Sequence, residues 1–108
     1  MKRERVEAGS GNVFADLDYP DAEEALAKAR LAQRITALIQ RKGLNQAQAA
    51  ALLGVDQPKI SKLLRGRLRE FSTDRLFRFL NTLGQDVRIV VRTKPRSRRH
   101  ATMSVVAA

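Results

Sequence analysis

One glycine between two short apolar-patterned segments constrains the fold of this chain more than any other feature. It lies in the stretch from Leu44 to Gly66, LNQAQAAALLGVDQPKISKLLRG. Gly54 supplies the left-handed backbone that closes a helix without a Cβ penalty, so a first helix is predicted from Gln46 to Leu53. Asn45 is placed to cap it, because its side-chain oxygen can accept from backbone N–H groups that have no partner one turn back. Asp56 begins a second helix with a carboxylate at the positive end of the helix dipole. Pro58 falls in its first turn, where a missing N–H costs nothing.

The apolar positions then decide which faces are buried. Leu44, Ala50, Leu53, Val55, Ile60, Leu63 and Leu64 recur at spacings that set them between two crossed short helices. The remainder of the second helix is Gln57, Lys59, Ser61, Lys62 and Arg65, a face of donors and positive charge with no acid after Asp56. Gln can bond adenine twice, Lys and Arg suit guanine or phosphate, and Ser serves either role. The bland alternative is a solvated helical hairpin, since exposed helix faces are ordinarily charged.

The same residues resemble the helix-turn-helix of the Cro and lambda-repressor-like (XRE) family. The similarity rests on Gln46 opening the first helix, Ala50 at its centre, Gly54-Val55 at the turn, Gln57 opening the second helix and Ile60-Ser61 one turn on. Asp56 departs from the family, which often has Ser or Thr there; it caps equally well but sets an acid near phosphate. The flanks GNVFADLDYPDAEEALAKARLA and FSTDRLFRFLNTLGQDVRIVVR resemble a subgroup that includes HigA-type antitoxins, so the likeness runs from about Gly11 to Arg92. The resemblance implies an all-α, lambda-repressor-like domain of about four helices. It also implies a dimeric repressor that controls its own operon and neutralises a RelE/HigB-like ribonuclease toxin.

Charge agrees with a polyanionic partner. The 108 residues carry 21 Lys and Arg against 11 Asp and Glu, a formal net charge of +10. With no cysteine and a single histidine, His100, in a basic tail, no metal site or cofactor is expected. No apolar run approaches a membrane span, and MKRERVEAGSG lacks the apolar core of a signal peptide, so a cytoplasmic, nucleoid-associated protein is expected.

Along the chain, residues 1–11 read as a flexible arm, 12–92 as the helix-turn-helix domain with its motif at 45–66, and 93–108 as a basic disordered tail. Val13, Phe14, Leu17 and Tyr19 are too apolar for a free linker and are expected to fold back over the helices, with a docking role for a second protein as the alternative. Pro20 and Asp21 introduce a long helix running to Gly43, with a buried stripe at Leu31, Ile35, Leu38 and Ile39. Leu26, with Ala22 and Ala29, falls on the opposite side and marks a surface for a partner subunit or toxin. Ser72 caps a last helix, Phe71 and Leu76 have hydrophobic-staple spacing, and Leu76, Phe77, Leu80 and Leu83 form its buried stripe. Residues 86–92 alternate as a β-strand, with Val87, Ile89 and Val91 on one side, and a strand needs a neighbour. The candidates are a second copy, the segment around Val13 and a strand of another protein; the second copy is preferred, because short recognition helices usually bind as dimers on half-sites about 34 Å apart.

The reading is a sequence-specific DNA-binding repressor that acts on a double-stranded operator. Gln57, Lys59, Ser61 and Lys62 are assigned to base edges; Gln46, Arg65 and Arg67 are assigned to the phosphate backbone. Competing readings are a stand-alone XRE-family regulator without a toxin, a non-specific RNA-binding protein, and a toxin-binding module that no longer binds DNA. An enzyme is not expected. The acids Glu23, Glu24, Glu70, Asp74 and Asp86 sit at helix starts or beside turns, where capping explains them, and no nucleophile is paired with a base.

Overall fold

The computed structural model describes residues 19–107, and the arm at 1–11 and the segment holding Val13, Phe14 and Leu17 lie outside them. Four helices are present among the described residues: α1 Tyr19–Arg41, α2 Gln46–Leu53, α3 Gln57–Leu64 and α4 Thr73–Thr82. α2 packs chiefly on α3, and α1 spans the domain against α3 and α4.

The long helix forms because nothing between Pro20 and Arg41 breaks it; Asp21 sits in its first turn and Arg41 in its last, each at the favourable end of the dipole. At 23 residues it extends about 34 Å. Leu31, Ile35, Leu38 and Ile39 are all buried, as the stripe requires. Leu26 remains 41% exposed on the other side.

α2 and α3 share a capping logic. Asn45 Oδ1 accepts from the Gln48 N–H at 2.8 Å while Gln48 Oε1 accepts from the Asn45 N–H at 2.9 Å, a reciprocal box at the start of α2. Gly54 takes φ 73°, ψ 32°, and the N–H groups of Gly54 and Val55 both donate to the Ala50 carbonyl. That left-handed residue turns the chain sharply into α3, where Asp56 Oδ1 accepts from the Lys59 N–H at 2.9 Å.

One core joins all four helices. Ala49, Ala50, Ile60, Leu63, Phe71, Leu76, Phe79, Leu80 and Leu83 complete the cluster begun by α1. Ala49 and Ala50, small members of the cluster like Ala32 on α1, lie between α2 and its neighbours, which lets short helices approach closely. The staple residues Phe71 and Leu76 are both fully buried. Phe79 meets Phe71 edge-on, with ring centroids 6.1 Å apart. The stripe of α4 therefore differs from the one expected: Phe79 is in the core and Phe77 only half-buried, because the spacing 76, 79, 80, 83 keeps one face where 77 lies to its side.

The β-strand expected at 86–92 is not formed. No strand occurs among the described residues, and the physical reason is the one that made the strand conditional: a strand needs a neighbour, and none lies beside this segment among the described residues. The start of this segment is held. Arg34 donates to Gln85 Oε1 at 3.2 Å, Asn81 donates to the Gln85 carbonyl at 2.9 Å, and Val87 packs against the core. Beyond it, Ile89 is 68% and Val91 90% exposed.

The tail at 93–107 has neither helix nor strand. It curls locally through Lys94 to the Arg98 carbonyl, 2.9 Å, and Arg98 to Thr102 Oγ1, 3.0 Å. The Met103 N–H donates to Glu23 on α1 at 3.1 Å, and Val105 packs against the core. Its backbone has no regular ladder, so one side-chain acceptor and one half-buried valine hold its far end.

Candidate nucleic-acid interface

α3 is anchored by Ile60 and Leu63, exposed to 0% and 1%, so its orientation is fixed by the core behind it. At about 100° per residue, the side opposite those two carries Pro58, Ser61, Lys62 and Arg65, with Gln57 at its margin about a quarter-turn round. Gln57 is exposed at the first helical position, and Ser61 and Lys62 are half-buried one turn on. Arg65 is exposed at the C-terminal end. These four polar residues make one strip along the helix.

Lys59 stands apart from that strip. Its side chain is 27% exposed and turns to the edge of the helix, with Nζ 6.0 Å from the centre of the Phe71 ring. Gln46 is exposed at the first position of α2, so the N-terminal ends of α2 and α3 each present a glutamine.

After α3 the chain is folded back. Gly66, at φ 78°, allows the Gly66 N–H to reach the Leu63 carbonyl at 3.1 Å and the Arg67 N–H to reach the Lys62 carbonyl at 2.9 Å. This double closure holds Arg65 and Arg67 beside the end of the helix, both exposed. Neither guanidinium has an ion-pair partner among the described residues.

The face is not free of acid. Glu70, reached from the same loop, sets Oε2 at 2.6 Å from Lys62 Nζ and Oε1 at 3.8 Å from Lys59 Nζ. The hydrogen bond and charge of Lys62 hold the Glu70 carboxyl below its ordinary value of 4.5. Turn position alone therefore does not explain this residue. The sequence signal was thin: eight residues separate Lys62 from Glu70, and only the turn at Gly66 brings them together. Of the other acids, Glu23 accepts from the Met103 N–H at 3.1 Å rather than capping. Asp74 lies in the first turn of α4 and pairs with Arg78 at 3.4 Å, and Glu24 pairs with Lys28 at 3.8 Å.

No group of three His, Cys, Asp or Glu residues suited to a metal occurs among the described residues. No described helix is long and apolar enough to cross a membrane.

A family model described as a helix-turn-helix domain matches residues 13–92, most of the chain. The chain belongs to the helix-turn-helix domain family. A solved structure described as an XRE family transcriptional regulator is 56% identical to it, with a TM-score of 0.78. The match covers 82% of this chain and 100% of that one, which places this helix-turn-helix protein in the XRE family. No curated protein matches it. In the helix-turn-helix frame, α2 is the first helix of the motif, Gly54 to Asp56 the turn and α3 the second helix.

Proposed function

We propose that this XRE-family protein is a sequence-specific, double-stranded DNA-binding repressor that reads its operator with α3. The observation that carries the reading is the strip of Gln57, Ser61, Lys62 and Arg65 on a helix whose opposite side is buried through Ile60 and Leu63. A helix so anchored presents polar side chains at fixed positions, which a major groove can accept. Gln57, Ser61 and Lys62 contact base edges, with Lys59 at the margin of the strip. Gln46, Arg65 and Arg67 contact phosphates, where helix N-terminal amides and unpaired guanidinium groups favour anions.

Two copies bind together. Residues 86–92 support this: pairing them antiparallel about Ile89 would set Val87 against Val91 and Asp86 against Arg92, satisfying a ladder that is open among the described residues. The exposure of Ile89 and Val91 is consistent with a surface that is covered in the dimer.

The antitoxin role belongs to the same reading. Its support is the resemblance of the flanks to HigA-type antitoxins and the exposed Leu26 on α1, away from the core. Coexpression with a ribonuclease encoded in the neighbouring reading frame tests it: the expected outcome is a stable complex that Leu26→Glu weakens, whereas a regulator without a toxin gives none.

A shift assay on the protein's own upstream DNA tests the central reading. The expected result is binding at least about a thousandfold tighter than to a scrambled duplex. Equal binding to both, or to structured RNA, is the result that discards it.

A further inference from the structure

Among the described residues, Glu70 is the one acid beyond the end of α3 that pairs with lysines of that helix. We propose that it acts as an internal competitor of DNA phosphate, occupying Lys59 and Lys62 in the free protein and thereby restraining non-specific binding. The proposal rests on the DNA-binding reading of α3 given above and adds a specificity-determining role for a residue outside the contact strip.

The geometry is that of one carboxylate shared by two lysines. Oε2 lies 2.6 Å from Lys62 and Oε1 3.8 Å from Lys59, so each oxygen serves one ammonium group. Lys62 and Glu70 are 44% and 50% exposed in their side chains, which leaves the pair open to exchange with another anion. A surface pair of this kind contributes little to folding. Its consequence lies in binding, because each phosphate that engages a lysine must first displace the carboxylate.

The neighbouring cations are arranged differently. Arg65, Arg67 and Arg69, on the same turn, make no ion pair among the described residues. The arginines are therefore available to any duplex, while the two lysines are held until a competing acceptor is well placed. A correct site offers such an acceptor in a base edge and its adjoining phosphate. A random site offers mobile phosphates alone, and the carboxylate then faces the polyanion. Asp56 at the N-cap of α3 adds a second acid near this edge, but its carboxylate is committed to the Lys59 N–H. Glu70 has no such backbone bond among the described residues and is free to exchange.

The test is the salt dependence of binding to a random-sequence duplex, measured by fluorescence anisotropy on the full chain and its Glu70→Gln variant. Release of the lysines should tighten random-duplex binding several-fold and steepen the salt slope by about one, the contribution of one added phosphate contact. The ratio of specific to random affinity should fall. In a Lys59→Met/Lys62→Met background, Glu70→Gln should leave the slope unchanged. An unaltered slope in the parent, or the same steepening without the lysines, overturns the proposal. If the parent chain binds no duplex while its melting curve is normal, the DNA-binding reading itself fails, and this proposal with it.

Discussion

Gln57 and Arg65 occupy opposite ends of one exposed strip, and their chemistry separates two kinds of contact. A glutamine at the start of α3 can pair with adenine through its amide, so Gln57→Ala should cost about 1–3 kcal/mol on the operator and blur preference at one base pair. Binding-site selection with the variant checks this; a uniform loss across all sequences would make Gln57 a backbone contact. Arg65 is exposed at the end of the helix and without an ion-pair partner among the described residues. Arg65→Ala should weaken every duplex and reduce the salt slope by about one. An unchanged slope in a salt titration would take Arg65 out of the interface. Lys59 lies at the edge of α3, with Nζ 6.0 Å from the centre of the Phe71 ring and 3.8 Å from Glu70 Oε1.

At the scale of elements, the angle between α2 and α3 depends on Gly54. A Cβ there would meet no atom within 4 Å, so the penalty of substitution is that of the left-handed backbone at φ 73° alone. Gly54→Ala should destabilise the domain by about 1–2 kcal/mol, read as a lower midpoint in denaturant unfolding. An unchanged midpoint would show that the turn tolerates another backbone geometry. Both motif helices were legible in the sequence because their signals are local: Asn45 and Asp56 cap, Gly54 closes, and the apolar spacing follows one period. Glu70 was not legible, because its meeting with Lys62 depends on a fold-back at Gly66 that spacing along the chain does not encode. The stripe of α4 was legible but misjudged, since the spacing 76, 79, 80 and 83 keeps one face and places Phe79, not Phe77, in the core. The strand at 86–92 failed for another reason. Its alternation records a preference, but ladder hydrogen bonds require a partner that is absent among the described residues.

On the scale of the whole molecule, a formal net charge of +10 favours polyanionic partners, and in the proposed function α3 turns that attraction into a specific register. In the proposed dimer, a twofold axis relates the two copies of α3. Ile89→Lys should therefore shift the sedimentation coefficient from dimer to monomer and weaken operator binding; an intact dimer would move the contact elsewhere. The account as a whole depends on α3 entering a major groove. Dimethyl sulfate interference on the operator addresses that most directly, since it methylates guanine N7 in the major groove and adenine N3 in the minor groove. Interference at guanine N7 in two clusters about 34 Å apart is the expected result. Interference confined to adenine N3, or none at either position, would contradict it.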